Sequence, residues 1–405
     1  MLALVGLGVV APVKRSNWSL AAEGIVTKRV PRRRSYQKGF TPQLLSVCPA
    51  PYGARVRFMG LVGQDLRQWQ NASLRLASAI GVPTLVVTEP EPMVFELALR
   101  VIDPIGQPVH LAAVHPADSW SLRLGQDEFG EVKQLSLSNV AGVVVGGLPG
   151  AGKSAWLSTT LAGFVSSPAV QYVVIDGKGG HDLSCLQQRC CRFVNDDLDI
   201  GAVAGVLSDL VGLTRSRIKN AATLFGSSNF WHRGPTVQVP LVFVVIDECQ
   251  TFLDPRQLIT KDRKAIGAEI HASVNYLVRK GRSAGIVTVV ATQKPTADSL
   301  PTDIRDNAAM RICFGVQSSH AATAVLGDDW RAGESESPLR APAGVGVAAV
   351  NGRFIRFRAP YVQESVVARY TATWAAHRRD PWELSERALA AVGIGDRGMG
   401  KGAAR

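Results

Sequence analysis

The sequence predicts an α/β fold whose larger part is built on a mostly parallel sheet. From about residue 140 onward, short apolar runs alternate with stretches of helical length. Continuous apolar runs are typical of strands buried on both faces, and their alternation with helices is typical of parallel sheets. The apolar runs are "VAGVVVGG" (140–147), "VQYVVIDG" (170–177), "VPLVFVVIDE" (239–248), "AGIVTVVATQ" (284–293) and "AMRICFGVQ" (309–317), and the predicted helices span 153–165, 201–219 and 262–280.

A smaller α/β domain is predicted in front of this sheet. "ARVRFMGL" (54–61) alternates as a strand does, and residues 64–81 place apolar side chains at helical spacing before a glycine. "TLVVTE" (84–89) and "VFELALRVI" (94–102) have the pattern of two further strands. The 405 residues therefore divide into four predicted parts: an apolar start and basic arm (1–38), the small α/β domain (39–139), the main domain (140–360), and a C-terminal helix with a flexible tail (361–405).

The net charge of +12 is concentrated near the two ends of the chain. Residues 14–38 hold eight Lys/Arg and one Glu (+7), and residues 352–405 hold ten Lys/Arg and five Asp/Glu (+5), so the part between them is formally neutral. A basic excess is typical of proteins that bind nucleic acid or an anionic membrane surface. Charge alone leaves two alternatives open: the two basic segments are solvated tails, or they bind such a partner through electrostatic attraction.

The first 13 residues are apolar, but a spanning helix needs about 20. Lys14 and Arg15 follow this stretch instead of preceding it, so a signal peptide is not predicted either. The six cysteines contain no C-x-x-C pair, which argues against a zinc ribbon and for a reducing compartment. We expect a cytoplasmic protein. Peripheral contact with the cell membrane through "KRVPRRR" (28–34), or a start that is the remnant of a longer anchor, are open alternatives.

The stretch "GLPGAGKS" matches the phosphate-loop pattern G-x-x-x-x-G-K-[ST] at every position. Its glycines leave backbone N–H groups open to a phosphate, and the helix that follows directs further N–H groups at it. The lysine adds a positive charge on the β- and γ-phosphates, and the serine hydroxyl is a predicted Mg²⁺ ligand. The alternative is a glycine-rich turn with a chance lysine, but a strand before the loop and a helix after it favour binding of ATP. The predicted nucleotide-binding residues are Gly147, Leu148, Pro149, Gly150, Ala151, Gly152, Lys153 and Ser154.

Two acids and an amide end the neighbouring apolar runs. Asp247 and Glu248 follow "LVFVVI", and Gln293 ends "IVTVVATQ". Ligands of open α/β sheets sit at the carboxyl ends of the strands. There, Asp247 can hold Mg²⁺, Glu248 can accept a proton from the attacking water, and Gln293 can sense the γ-phosphate. The alternatives are a pair of helix-capping acids and an ordinary polar strand end.

Together these motifs resemble the FtsK/SpoIIIE family of DNA translocases. The resemblance depends on the phosphate loop, on "VVIDE" and on the segment that follows them in the chain, "RKGRSAGIVTVVATQKPTADSLPTDIRDNAAMRICFGVQSSHAATAVLG" (279–327). In addition, "VVIDGKGGHDL" (173–183) is similar to the family's second-strand segment. The resemblance covers residues from about 140 to 330, and a weaker similarity covers residues 50–110. The resemblance is strongest to the short plasmid-transfer members. It implies a RecA-like P-loop ATPase core preceded by a small α/β domain.

The resemblance also implies roles for single residues. Lys153 and Ser154 match the Walker A pair, Asp247 and Glu248 match the Walker B acids, and Gln293 matches the polar sensor. These are the residues that would bind ATP and Mg²⁺ and cleave the γ-phosphate.

Arg282, in "KGRSAGI", matches the arginine finger of the family, which acts on the ATP of a neighbouring subunit. This match implies a homohexameric ring around double-stranded DNA. A membrane-anchoring protein is left open as a further partner. The alternative is a solvated arginine at a helix end.

Two positions depart from the family pattern. His320 stands where the family often carries a lysine that senses nucleotide, and a histidine is only partly charged near neutral pH. Only 45 residues (361–405) follow the main domain, which is little room for the family's winged-helix module. Recognition of a specific DNA sequence is therefore not predicted, and "RSRIKN" (215–220) is a candidate strip for phosphate contacts.

The sequence thus predicts an ATP-dependent double-stranded DNA translocase, with plasmid conjugation and chromosome segregation both open. Two other functions stay open. One is a single-module ATPase motor for polypeptide secretion, and the other is a nucleotide-dependent regulator that hydrolyses ATP slowly.

Overall fold

The computed structural model describes residues 42–180, 182–330 and 337–392. The predicted apolar start and basic arm (1–38) and the end of the predicted tail (393–405) lie outside the described residues. The described chain forms two compact units, which are taken in turn.

The smaller unit comprises residues 42–107 together with Asp127–Glu131. Its four-stranded antiparallel sheet has the order β1-β2-β4-β3, and one helix covers one face of it. Trp69 of this helix stacks on Phe95 with ring centroids 4.9 Å apart, which anchors the helix to the sheet. The elements are β1 (Gln43–Ala50), β2 (Gly53–Met59), α1 (Leu66–Ile80), β3 (Thr84–Glu91) and β4 (Val94–Arg100).

The larger unit contains a ten-stranded sheet in the order β10-β9-β11-β12-β8-β13-β14-β15-β6-β7. The first six strands of this order are mutually parallel, whereas β14 is antiparallel to β13 and β15 is antiparallel to β14. The predicted α/β fold with a mostly parallel sheet is confirmed. The strands of this unit are β5 (Val109–Leu111), β6 (Ser121–Asp127), β7 (Val132–Ser136), β8 (Gly142–Gly146), β9 (Val170–Asp176), β10 (Cys190–Val194), β11 (Leu241–Asp247), β12 (Ile286–Thr292), β13 (Met310–Phe314), β14 (Val345–Val350), β15 (Arg353–Arg358) and β16 (Pro360–Val362).

Helices cover both faces of this sheet, which is why its central strands consist almost wholly of apolar residues. In β11, Phe243 and Val245 face one core cluster, and Val242, Val244 and Ile246 face the other. The first core includes α2 and α10, and the second includes α3 and α7. The helices of the unit are α2 (Lys153–Ala162), α3 (Ile200–Lys219), α4 (Ala221–Phe225), α5 (Phe230–Arg233), α6 (Gln250–Leu253), α7 (Lys261–Lys280), α8 (Thr302–Asn307), α9 (Ser319–Leu326), α10 (Glu364–Thr373) and α11 (Pro381–Ala390), with short 3₁₀ turns at Ser184–Arg189, Gly281–Ala284 and Ala375–His377.

None of the helices in the described ranges is long and apolar enough to cross a membrane.

Arg217 is buried and cannot make the phosphate contacts predicted for residues 215–220, whereas Arg215 and Lys219 of that segment are exposed. The guanidinium of Arg217 is completely buried at the end of α3 and donates hydrogen bonds to the carbonyl oxygens of Pro240 and Ala284, each 2.9 Å away, and to Ser385 Oγ at 3.2 Å. Burial lowers the pKa of Arg217 to about 9, so the group stays charged at neutral pH. Arg217 joins α3 to the amino ends of β11 and β12 and to α11.

We expect Arg217→Met to lower the free energy of unfolding by about 2–4 kcal/mol, because it leaves two buried carbonyl groups and a hydroxyl without a donor. Urea unfolding followed by circular dichroism measures this. Arg215→Met is the matched control, since Arg215 is exposed on the same helix and should change stability by less than about 1 kcal/mol. Equal stability of the two variants would show that Arg217 is not a structural link.

Candidate nucleotide-binding site

The predicted nucleotide-binding elements meet at the carboxyl edge of the parallel sheet. Strand β12 lies between β8 and β11, and all three run in the same direction. The phosphate loop follows β8, the acidic pair ends β11, and Gln293 directly follows β12. The fold therefore brings residues nearly 150 positions apart in sequence to one edge.

The glycines of the loop have a conformation and surroundings that a side chain would not tolerate. Gly147, Gly150 and Gly152 have φ angles of 158°, 75° and 103°. A Cβ atom at Gly147 would lie 2.7 Å from Cβ of Phe314, and one at Gly152 would lie 2.8 Å from the backbone nitrogen of Gly344. Because these positions have no side chains, the loop backbone stays open for an anion.

Two backbone hydrogen bonds hold the loop in place. The N–H of Leu148 donates to the carbonyl of Gly315 at 3.0 Å, and the N–H of Gly344 donates to the carbonyl of Ala151 at 2.8 Å. Helix α2 begins at Lys153, immediately after the loop, and no side chain caps its first turn. Its free N–H groups and positive dipole end are thus available to an anion held by the loop.

Lys153 lies beneath the loop and contacts both acids. Its Nζ donates to Oδ1 of Asp247 in a short hydrogen bond and to Oε1 of Glu248 at 2.8 Å. All three side chains are buried, with relative exposures of 2%, 1% and 4%. Burial by itself would lower the pKa of Lys153, but the two carboxylates outweigh it and the pKa is raised. Burial raises the pKa of Asp247, an effect that Lys153 opposes.

The carboxylate of Glu248 is fixed at both oxygens. Oε1 accepts from Lys153, while Oε2 accepts from Gln250 Nε2 at 2.5 Å and from the backbone N–H of Gln293 at 3.3 Å. Glu248 itself has φ 50°, in the left-handed region that is unfavourable for a residue with a side chain. Gln250 was not identified from the sequence, where it is one polar residue at the start of a short helix.

A second residue that the sequence analysis missed, an acid, lies beside Asp247. Asp176 ends β9 directly opposite Asp247 of β11 in the register of the sheet, and it is 1% exposed. Among the described residues, neither Asp176 Oδ2 nor Asp247 Oδ2 has a hydrogen-bond partner. The signal available in the sequence was "VVIDG", which repeats the strand-then-aspartate pattern of "VVIDE".

The residues at this edge fit Mg²⁺ bound with a nucleotide. Mg²⁺ takes oxygen ligands, one or two of them from carboxylates and the others from water and substrate phosphates. Asp247 offers an unpartnered buried oxygen, and Ser154 offers a half-buried hydroxyl whose described hydrogen bond, to Asp182 Oδ2, is long at 3.5 Å. Ser154 and Asp247 are therefore suited to Mg²⁺ and stay the predicted ligands.

One predicted catalytic residue lies apart from this cluster. Arg282 is exposed in the 3₁₀ turn Gly281–Ala284, just before β12 begins. The phosphate loop is at the other end of the strands, and the seven residues of β12 span about 20 Å. Arg282 therefore takes no part in the site of its own chain. His320 is exposed in the first turn of α9, which follows β13 at the carboxyl edge.

Comparison with known proteins confirms the predicted resemblance. No protein-family model matches the chain. A curated DNA translocase FtsK from Leptospira interrogans is 21% identical over 356 residues, which cover 82% of this chain and 36% of the relative. The chain thus spans about a third of that relative's length.

Two solved structures have the same fold. The pCW3 conjugation coupling protein TcpA, in its monomer form with ATPγS, matches with a TM-score of 0.56 and 18% identity over 88% of this chain and 98% of that chain. ATPases 2 and 3 of EssC from Geobacillus thermodenitrificans match with a TM-score of 0.52 and 15% identity over 69% of this chain and 54% of that chain. The predicted fold, an α/β core with a mostly parallel sheet, is confirmed.

Proposed function

We propose that this chain, which resembles FtsK-type translocases over most of its length, hydrolyses ATP and uses the energy to move double-stranded DNA. The observation that carries the proposal is the cluster of Lys153, Asp247 and Glu248 beneath an open glycine loop. A buried cation in contact with two carboxylates can exchange these partners for phosphates, and the freed acids then have the right chemistry for metal binding and proton transfer.

In this proposal ATP is the substrate and residues 147–154 bind its phosphates through backbone N–H groups. Lys153 moves from the acids to the phosphate oxygens. Glu248 accepts a proton from the water that attacks the γ-phosphorus, and the bond from the γ-phosphorus to the β–γ bridging oxygen breaks to give ADP and phosphate. Gln293, whose backbone N–H donates to Glu248, would sense the γ-phosphate with its side chain. Mg²⁺, held by Ser154 and Asp247, would neutralise charge on the phosphates.

We further propose that the working form is a homohexameric ring. Arg282 is exposed at the amino edge of the sheet, away from its own phosphate loop, so it can act on ATP only if that ATP belongs to another subunit. An arginine supplied across an interface stabilises the charge of the transition state and ties hydrolysis to motion between subunits.

The choice of DNA as the substrate is supported by the names of two similar proteins, DNA translocase FtsK and a conjugation coupling protein. We propose plasmid or chromosome transfer in the cytoplasm, where ATP is present and where the six cysteines, all free thiols, stay reduced. One alternative, a motor for polypeptide secretion, is favoured by the likeness to the cytoplasmic domain of the Type VII Secretion ATPase EccC from Thermomonospora curvata, with a TM-score of 0.50 and 17% identity over 70% of this chain.

The test is the ATPase rate of the purified chain with no DNA, with single-stranded DNA and with long duplex DNA. We expect duplex to raise the rate most, and the stimulation to fall as salt rises because the contacts are to phosphates. A rate that duplex leaves unchanged would contradict the DNA motor and favour secretion. A protein that binds ATP without turnover, with or without DNA, would favour the regulator.

A further inference from the structure

Gln250 connects the catalytic glutamate to the end of the neighbouring strand. It is the first residue of α6 and lies between Glu248 and Thr292. Its Nε2 donates to Glu248 Oε2 at 2.5 Å, and its Oε1 accepts from Thr292 Oγ1 at 2.7 Å. One carboxamide therefore bridges β11 and β12 at the edge where the proposed site lies.

The chemistry of the neighbours fixes which end of the carboxamide faces which group. An ionised Glu248 can only accept hydrogen bonds, so it requires the NH₂ end of Gln250. Thr292 Oγ1 already accepts from the backbone N–H of Lys294 at 3.0 Å, which leaves its hydroxyl proton to donate to the oxygen end of Gln250. Rotating the carboxamide by 180° would bring two acceptors together at Glu248, so the observed orientation is the favourable one.

The bridge separates the two oxygens of Glu248 by function. When Lys153 moves to the phosphates, Oε1 loses the partner that it has in this structure, whereas Oε2 keeps Gln250 and the backbone N–H of Gln293. We propose that Gln250 is a positioning residue that anchors Oε2 of Glu248, so that Oε1 is the atom that faces and deprotonates the attacking water. The inference rests on the proposed ATPase function and deepens it.

Because Thr292 immediately precedes Gln293, the same bridge ties the glutamate to the strand that carries the proposed γ-phosphate sensor. A movement of Thr292 at the end of β12 would therefore move the carboxylate of Glu248, because the side chain of Gln250 connects the two. Gln250 thus fixes the position of the proposed base, Glu248, relative to the proposed sensor, Gln293, without itself contacting substrate.

The first experiment compares Gln250→Leu with the unmodified chain. We expect kcat to fall about 10–100-fold while KM for ATP changes less than about threefold, because the carboxylate is misplaced but the phosphate loop is intact. Gln257→Leu, at an exposed glutamine seven residues further on, is the matched control and should keep the unmodified rate. A second readout is the nucleotide retained on the protein after gel filtration, which should shift from ADP towards ATP in Gln250→Leu.

Thr292 provides a second route that does not alter Gln250. Thr292→Val removes the hydroxyl that orients the carboxamide and should also lower kcat, whereas Thr292→Ser keeps it and should recover most of that loss. The combination of Gln250→Leu with Thr292→Val should be no worse than Gln250→Leu alone, because both act through one chain of hydrogen bonds. Relative to threonine, Thr292→Val replaces the hydroxyl by a methyl group and Thr292→Ser removes one methyl group, so a fall in kcat in the valine variant alone is due to the lost hydrogen bond.

An unchanged kcat in folded Gln250→Leu, a rise in KM alone, or strictly multiplicative effects of the two substitutions would each overturn the inference. Failure of the proposed function looks different: the unmodified chain itself would not bind or hydrolyse ATP.

Discussion

Replacing Lys153 with methionine should greatly reduce ATP hydrolysis and also make the nucleotide-free protein less stable. The first effect follows from the loss of the cation on the β- and γ-phosphates, and we expect a fall in kcat/KM of about 10²–10³-fold or more. The second follows from the structure, because the substitution leaves Asp247 and Glu248 buried without a counter-ion. Breaking a buried ion pair by removal of one partner costs about 3–5 kcal/mol.

The loss of stability in Lys153→Met should become smaller as the pH falls. In the variant, burial and the nearby Glu248 both raise the pKa of Asp247, and the lysine no longer opposes them. A carboxyl whose pKa is higher in the folded than in the unfolded state binds more protons when folded, so its penalty is full above the folded pKa and is relieved as pH falls through it. Urea unfolding in mildly alkaline and mildly acidic buffers measures this dependence.

Lys264→Met is the matched control, since Lys264 is exposed on α7 and should change stability by less than about 0.5 kcal/mol. If Lys153→Met were as stable as the control at alkaline pH, the three side chains would not form a buried charged cluster in the free protein. If it hydrolysed ATP as fast as the unmodified chain, the assignment of the phosphate loop would be wrong.

The parallel core of the sheet could be predicted because its strands carry their signal locally. Each is a continuous apolar run, since helices bury both of its faces, and β8, β11 and β12 each end in a residue type suited to phosphates or Mg²⁺. The local pattern does not show the order of these strands in the sheet. The motifs that follow them nevertheless imply that their carboxyl ends lie at the same edge of the sheet. Thus the amino-acid sequence alone was enough to group the loop, the acidic pair and Gln293.

The antiparallel extension of the sheet could not be predicted in the same way. Strand β7, "VKQLS", is short and mostly exposed, and nothing in those five residues indicates which sheet they join. In the structure β7 pairs with β6 in a local hairpin, and this hairpin joins the ten-stranded sheet through β15, a strand far along the chain. Such membership depends on tertiary partners and not on propensity.

Arg217 and Gln250 show two different limits of sequence reasoning. Arg217 continues the buried face of α3 at helical spacing after Leu210 and Thr214, so periodicity could have indicated its burial despite its charge. Gln250 offers no comparable signal. Its role depends on Thr292, 42 residues away, and on the direction in which one carboxamide points.

Replacing Arg282 with alanine should lower the ATPase rate about 10³-fold or more while leaving ATP affinity unchanged, provided that the arginine acts on a neighbour's ATP. The physical reason is its position at the amino edge of the sheet, from which it cannot reach its own phosphate loop. Arg369→Ala is the matched control, because Arg369 is exposed on α10 and has no proposed role. Equal rates in the two variants would contradict a role for Arg282 in hydrolysis.

Mixing Arg282→Ala with Glu248→Gln subunits separates action within a chain from action between chains. Each variant alone is inactive, but in an equal mixture about one site in four pairs an intact Glu248 with an intact arginine from its neighbour, so activity up to about a quarter of the unmodified rate should return. If Arg282 acted within its own chain, no site in the mixture would be complete, because each chain lacks one of the two groups. Absence of rescue in mixtures that are shown to exchange subunits would therefore reject the interface role, while recovered activity requires that the catalytic unit contain more than one copy of the chain.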